Sequence, residues 1–142
     1  MLSMLAATVL TLLAMIGPSV DFRDSGEGLR FTDIYGNVRF EPTAAGCTTG
    51  GVAVIYLPAS GLTLDILAHE LAHAYDCIDD GYMNGSPLAR PPVRPAWISD
   101  YCWNSGAEWF ACSVQRYGIH ALDLRSSNAD DLEVGRLALP DP

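Results

Sequence analysis

The pattern of apolar and polar positions divides this chain into an apolar amino-terminal run, several short segments and two longer amphipathic segments. Apolar and polar residues alternate in residues 29–34 and again in residues 38–41, on either side of the Gly36-Asn37 pair. This alternation around a tight-turn pair predicts a β-hairpin. Residues 52–57 form an apolar run rich in β-branched side chains, which predicts a further strand.

Three segments predict irregular structure. Residues 20–28 are polar and predict a mobile start of the domain, and the small residues 43–51 predict a loop. Residues 82–95 contain four prolines, which exclude regular structure. A loop of this length is uncommon as a simple connector, so it is either one wall of a cleft or a surface crossover.

Two longer segments have helical periodicity. The first predicts a helix over residues 64–79, with Thr63 as its N-cap and Gly81 as its carboxyl-terminal stop. The second predicts a helix over residues 106–117, and residues 128–133 predict the start of a last helix. We therefore expect an α+β fold, in which a small, mostly antiparallel sheet precedes two helices that pack together.

Residues 1–19 begin with an apolar run that extends to Ile16 and is broken by Gly17-Pro18-Ser19. The run has the length of the apolar part of a secretory signal and is short for a membrane span. It predicts a signal peptide or, if it is retained, an amino-terminal anchor; a buried helix is the remaining alternative. Residues 20–142 are one domain by length, and we expect this domain to be secreted or otherwise extracytoplasmic.

Composition limits the partners. The formal net charge is −9, with eight arginines and no lysine. An acidic chain without a basic cluster repels nucleic acid and anionic lipid surfaces. We therefore expect no nucleic-acid partner, and contact with a membrane only through residues 1–19 if these are retained.

A histidine motif lies inside the first predicted helix, with the sequence His69-Glu70-x-x-His73. Residues four apart lie on one helical face, so His69 and His73 can present two imidazoles to one metal ion. Glu70 lies beside the first histidine and can reach a water molecule bound to that metal. This is the zinc-hydrolase pattern, in which Glu70 is the general base.

An open zinc site needs a third protein ligand, and Glu108 is the first candidate. It lies near the start of the second predicted helix, where small residues on the same face allow close approach to the first helix. The alternative is that Ser105-x-x-Glu108 forms a capping box, in which the glutamate binds only the start of its own helix.

Asp79 is the rival ligand. In the metzincin-like pattern the last ligand stands six residues after the second histidine, which is the position of Asp79 here. That pattern ends the helix in a sharp turn that favours glycine, and this chain has Asp76 at the glycine position. Asp76 is expected instead to orient an imidazole by a hydrogen bond.

The chain resembles the gluzincin superfamily of metallopeptidases over roughly residues 50–118, through His69-Glu70-x-x-His73 followed by Glu108-x-x-Ala111. The resemblance implies a zincin-like domain with zinc (Zn²⁺) as cofactor. It further implies that His69, His73 and Glu108 bind the metal and that Glu70 activates the water.

The four cysteines predict two disulfides after export, and the chain has no C-x-x-C pair of the kind that binds zinc. If the two helices cross near the zinc in opposite directions, Cys77 lies near Cys102, and Cys47 is left to pair with Cys112. This is one of three connectivities, and it is a hypothesis.

The leading functional hypothesis is a zinc-dependent endopeptidase that acts on a peptide or protein substrate, with Glu70 as general base. Two alternatives stay open: a zinc hydrolase that acts on a non-peptide amide, and a non-catalytic secreted binding module stapled by disulfides. The group that stabilises the oxyanion is not assigned, and its candidates are His120, Tyr75, Tyr82, Tyr101 and Tyr117.

Overall fold

The computed structural model describes residues 3–26, 29–32, 35–48 and 50–123. Within these residues the chain folds as an α+β protein, as predicted, with a three-stranded sheet, a separate two-stranded hairpin and several helices. The helices are α1 (Met4–Ile16), α2 (Leu64–Asp80), α3 (Asp100–Trp103), α4 (Gly106–Tyr117) and α5 (His120–Asp123). The strands are β1 (Val20–Asp24), β2 (Leu29–Thr32), β3 (Val38–Glu41), β4 (Ala44–Thr48) and β5 (Val52–Leu57). The helix predicted from residue 128 lies outside the described residues.

The three-stranded sheet is mixed, which corrects the expectation of a mostly antiparallel sheet. Its central strand is β5, which runs parallel to β1 and antiparallel to β4. The prediction of irregular structure in residues 20–28 and 43–51 is wrong where β1 and β4 form. Residues 20–23 of β1 alternate apolar and polar side chains, a strand signal that the prediction did not use. The small side chains of β4 carry no such signal, so the conformation of β4 depends on main-chain pairing with β5.

The predicted hairpin is confirmed. Strand β2 pairs antiparallel with β3, with Leu29 opposite Glu41 and Thr32 opposite Val38. Gly36 in the connecting turn has a φ of 82°, a left-handed conformation that glycine adopts without steric cost. Residues 33 and 34, which the alternation assigned to the first strand, lie outside the described residues.

Helix α2 forms where the sequence predicts it, with the expected caps. The Thr63 hydroxyl accepts a hydrogen bond from the N–H of Ile66. At the other end Gly81 has a φ of 89° and donates its N–H to the carbonyl of Cys77. The helix packs against α1, α4, β4 and β5. The histidine motif is therefore carried by the central helix of the domain.

Helix α4 also follows its prediction, and it supplies the largest side chains of the core. Trp109, Phe110 and Tyr117 are almost completely buried. The loop after α2 crosses the start of α4 so closely that a Cβ atom on Gly85 would stand 2.1 Å from the carbonyl oxygen of Gly106. Only glycine permits this crossing, which fixes the position of α4 relative to α2.

Helix α1 (Met4–Ile16) lies within the apolar run and packs against α2. Its buried side chains are Thr8, Val9, Leu12 and Ile16. The Thr8 hydroxyl accepts a hydrogen bond from the N–H of Ile119, just beyond the end of α4. In the full chain α1 therefore packs on the domain, and the prediction of a signal peptide or an anchor stays a prediction. No helix among the described residues combines the length and hydropathy that crossing a membrane requires.

Replacing Leu12 by alanine in the full chain is expected to destabilise the fold by about 3 kcal/mol, because this side chain is completely buried and its loss leaves a cavity. Leu10 on the same helix is 54% exposed, so Leu10→Ala is the matched control and should change stability by less than about 0.5 kcal/mol. Urea unfolding measures both. Equal midpoints for the two variants would show that α1 contributes no packing energy to the domain.

Candidate metal centre

The two motif histidines lie on one face of α2, and their rings are neighbours. The ring centroids of His69 and His73 are 4.9 Å apart, in an edge-on arrangement. Both rings direct Nε2 at the same carboxylate on α4. His69 Nε2 lies 2.9 Å from Oε2 of Glu108, and His73 Nε2 lies 3.1 Å from Oε1. The fold thus brings these three side chains together from two helices.

Glu108 serves its own helix only through its main chain. Its N–H donates to the Ser105 hydroxyl, which is the N-cap of α4. In a full capping box the glutamate side chain would return to the N–H of Ser105. Instead both carboxylate oxygens lie against the histidine rings. The alternative in which Glu108 only caps its helix is therefore not the arrangement found.

The hydrogen bonds of His69 imply a cation between this ring and Glu108. His69 Nδ1 lies 3.0 Å from Oε1 of Gln115, and the Gln115 amide nitrogen donates to Asp65, which fixes the orientation of the amide. Nδ1 therefore carries a proton and donates it. A neutral ring would then place the lone pair of Nε2 against a carboxylate oxygen, which is repulsive. The 2.9 Å contact is stable only with a proton or a metal ion between the two atoms.

Glu108 and the two histidines are coupled in their ionisation. Burial acts to raise the pKa of Glu108, but the hydrogen bonds from His69 and His73 outweigh it and hold the pKa well below its usual range. Burial likewise acts to lower the pKa of His69, and the bond to Glu108 outweighs it and raises the pKa. Glu108 is therefore an anion that faces two imidazoles. The raised pKa of His69 means that a proton competes with any metal ion for this ring.

The side chains present are of kinds that could hold a metal ion. Two imidazole nitrogens and a carboxylate oxygen are the donor set of an open tetrahedral zinc site, with metal–ligand bonds of about 2.0 Å and ligand atoms about 3.3 Å apart. The nitrogen–oxygen distances of 2.9 and 3.1 Å are close to that separation. The two histidines contact different oxygens of Glu108, Oε2 and Oε1. Among the described residues, the group of possible ligand atoms that lies within 4.8 Å comes from His69, Glu108 and Cys112. The Cys112 sulfur is bonded to Cys102, however, and a disulfide sulfur is a poor ligand.

Glu70 is placed beside the cluster and is only 9% exposed. Burial raises the pKa of its carboxyl above the usual value, although His73 and His69 act in the opposite direction. A raised pKa brings a carboxylate closer to the range in which a general base works well at neutral pH.

A cleft of ≈ 240 Å³ opens over these residues. Its lining comes from the hairpin, strand β4, helix α2, the following loop, α3 and α4. It comprises Glu41, Thr43, Ala44, Ala45, His69, Glu70, His73, Met83, Tyr101 and Glu108. Met83 belongs to the proline-rich loop of residues 82–95. This loop was predicted to be either one wall of a cleft or a surface crossover, and Met83 contributes to the wall of this cleft. A larger depression of ≈ 700 Å³ lies at the carboxyl end of α2, and none of the motif residues lines it.

Of the five candidates for oxyanion stabilisation, Tyr101 lines the cleft. Tyr101 is 68% exposed overall, but partial desolvation of its hydroxyl, together with the charge of Glu108 and a hydrogen bond to it, raises the pKa of Tyr101 to about 12. The hydroxyl therefore keeps its proton at neutral pH. Tyr75 and Tyr117 are instead buried in the core. Tyr82 and His120 lie outside the cleft lining.

The two aspartates after the motif do not join the cluster. Asp79 is exposed near the carboxyl end of α2 and outside the cleft lining, because the helix continues through it and turns its side chain away from the face of His73. Asp76 is fully buried, and its Oδ2 accepts the N–H of Gly85 at 2.7 Å. The expected hydrogen bond to an imidazole is not formed: Oδ1 of Asp76 and Nδ1 of His73 lack partners among the described residues. Burial raises the pKa of Asp76 to about 6.

The disulfides correct the predicted connectivity. Cys47 on β4 is bonded to Cys77 on α2, and Cys102 on α3 is bonded to Cys112 on α4. The pairing of Cys77 with Cys102 and of Cys47 with Cys112 is wrong, because the loop after α2 returns α3 to the side of α4 while β4 lies along α2. Two disulfides indicate an extracytoplasmic location.

Gln115 and Glu41 were not identified as site residues from the sequence. Gln115 lies seven residues after Glu108, and this two-turn spacing already places it on the same helical face in the sequence, but without a role. Glu41 ends a hairpin whose position over the cleft has no local signal.

Comparison with known protein families, with curated proteins and with solved structures finds no match to this chain.

Proposed function

We propose that this chain is a zinc-dependent endopeptidase with a gluzincin-type site on a small zincin-like domain. The observation that carries the proposal is the single carboxylate of Glu108 in contact with Nε2 of both motif histidines, at 2.9 and 3.1 Å. In this proposal His69, His73 and Glu108 hold the metal, and Glu70 is the general base. Zinc bound there would supply Lewis acidity, which polarises a carbonyl and lowers the pKa of water to about 7.

The side chains around the metal have separate roles in the proposed reaction. Glu70 takes the proton of the attacking water and then passes it to the leaving amine. Tyr101 keeps its proton and donates a hydrogen bond to the oxyanion that develops on the scissile carbonyl. Gln115 holds the proton on Nδ1 of His69, which leaves Nε2 free to bind metal.

The proposed substrate is an extended peptide. Strand β4 is an edge strand, since no other described strand pairs with its outer edge, and its residues Ala44 and Ala45 line the cleft. A peptide can add to such an edge by main-chain hydrogen bonds. The cleft carries the carboxylates of Glu41, Glu70 and Glu108, so neutral or basic peptides are favoured over acidic ones. The disulfides support action outside the cytoplasm, as a secreted protein.

The proposal is tested by metal analysis and substrate profiling of the purified, oxidised full chain. We expect one zinc ion per chain, cleavage within a mixed peptide library, loss of cleavage with a chelator and recovery on adding zinc. One bound zinc without peptide cleavage would favour the hydrolase of non-peptide amides. Absence of stoichiometric zinc would favour the non-catalytic binding module.

A further inference from the structure

One disulfide lies directly against the proposed metal site. Cys112 is one turn after Glu108 on α4, and its sulfur lies within 4.8 Å of ligand atoms of both Glu108 and His69. The other disulfide, Cys47–Cys77, joins β4 to the carboxyl half of α2 and is not part of this group. The mechanism proposed above gives Cys112 no part, although a thiolate is a strong ligand for zinc.

We propose that reduction of the Cys102–Cys112 disulfide makes Cys112 a fourth metal ligand, which closes the open coordination position and switches the enzyme off. This inference rests on the proposed metal site. A zinc site with an open position for water is catalytic, whereas a site filled by four protein ligands is structural. The same site would then have an active oxidised form and an inactive reduced form.

The two sulfurs differ in solvent exposure, and this difference decides which of them an external reductant attacks. Cys102 is partly exposed, whereas Cys112 is 7% exposed. Both line a surface depression of ≈ 420 Å³ on the side of α4 that also includes Trp97 and Arg116. An external dithiol therefore reaches the Cys102 sulfur more easily, and attack there expels the Cys112 sulfur as the leaving thiolate.

The electron balance of the step is complete with that dithiol. The first thiolate of the reductant forms a mixed disulfide with Cys102, and its second thiol then displaces the Cys102 sulfur. The reductant ends as a disulfide, oxidised by two electrons, while Cys102 and Cys112 end as thiols. The Cys112 sulfur stays deprotonated when it binds the metal.

The Cys112 sulfur must move to reach the metal, because Cys112 is not among the residues that line the cleft and shares a separate depression with Gln115. Ligand atoms around tetrahedral zinc lie about 3.3 Å apart or slightly more when one is sulfur, and the present group spans up to 4.8 Å. The bond to Cys102 holds the Cys112 sulfur in its present rotamer. Once that bond is broken, rotation about χ1 is free to bring the sulfur nearer to the metal.

Two single-cysteine variants test the switch, with cobalt(II) in place of zinc as a spectroscopic probe. C102S and C112S lose the same disulfide, so any cost to folding is shared, but only C102S keeps the Cys112 thiol. We expect C102S to bind cobalt with a thiolate-to-cobalt charge-transfer band in the near ultraviolet. We expect the oxidised wild type and C112S to lack this band. C102S with stoichiometric cobalt but no band would overturn the switch and leave the proposed metal site intact.

A second measurement does not depend on the variants folding. The oxidised wild type is loaded with cobalt and reduced stepwise with a phosphine, and each disulfide is followed by alkylation and peptide mapping. The charge-transfer band should grow, and peptide hydrolysis should fall, in step with the loss of Cys102–Cys112 and not with that of Cys47–Cys77. A band that does not appear as Cys102–Cys112 is lost would refute the switch. Failure of the oxidised protein to bind cobalt would refute both the switch and the proposed function.

Discussion

Glu70→Gln is expected to keep zinc at wild-type stoichiometry and to lower kcat/KM for peptide hydrolysis by about 10²- to 10⁴-fold. Glutamine has nearly the same shape as glutamate, so the packing of this 9% exposed side chain on α2 is preserved. The amide cannot accept the proton of the attacking water. The variant therefore separates metal binding, which depends on His69 and His73, from proton transfer.

A matched control removes a charge from the same cleft without touching the motif. Glu41 lines the cleft at the end of β3 and is exposed, so Glu41→Gln should change kcat/KM by only a few-fold. Steady-state kinetics with a library-derived peptide and zinc analysis of each variant provide the comparison. If Glu70→Gln turned over peptide as fast as Glu41→Gln does, Glu70 would not be the general base.

Glu108→Gln is expected to weaken zinc binding by more than about 100-fold. A residue that only hydrogen-bonds to a ligand costs at most about 100-fold when it is lost, so a larger effect indicates a direct ligand. Glu108 is the one negatively charged member of the proposed ligand set, and its two oxygens contact Nε2 of both histidines. A neutral amide is a weaker zinc ligand and cannot compensate the charge of the ion. Peptide hydrolysis should be lost with the metal and should return only at high zinc concentration.

Asp79→Asn is the control for this experiment, because Asp79 is the other acidic residue that the sequence offers as third ligand. It is exposed at the end of α2, so its substitution should leave zinc affinity within a few-fold of the wild type. Competition with a chromophoric chelator measures both affinities. A large loss of zinc in Asp79→Asn together with a normal affinity in Glu108→Gln would reverse the ligand assignment.

The parts of the site that follow from local chain geometry are foreseeable from the sequence. Four-residue spacing places His69 and His73 on one face of any helix, and Thr63 and Gly81 mark the ends of that helix by their own backbone chemistry. Glu108 is identified as a candidate because an open zinc site lacks a ligand and the next helix offers a carboxylate. The sequence supports equally well the alternative that Glu108 only caps its own helix. The packing of α4 against α2 decides whether the Glu108 side chain faces the histidines or the start of α4.

The parts that depend on long-range pairing are not foreseeable in this way. Strand β4 has neither alternation nor a β-branched run, and it forms because β5 offers it a hydrogen-bonding edge. The disulfides could not be paired from the sequence either, because pairing requires two Cα atoms about 6 Å apart in the folded chain. Gln115 can accept a hydrogen bond from His69 Nδ1 only because α4 packs against α2 next to His69.

The sequence by itself determined the central helix, its histidine pair and the carboxylate between them, since these depend on contacts within a few turns of one helix. The tertiary structure alone decided which acidic side chain meets the histidines, which strand borders the cleft and which sulfur lies beside the site. Those outcomes follow from how separate elements pack, and packing is a property of the whole core that no single segment encodes.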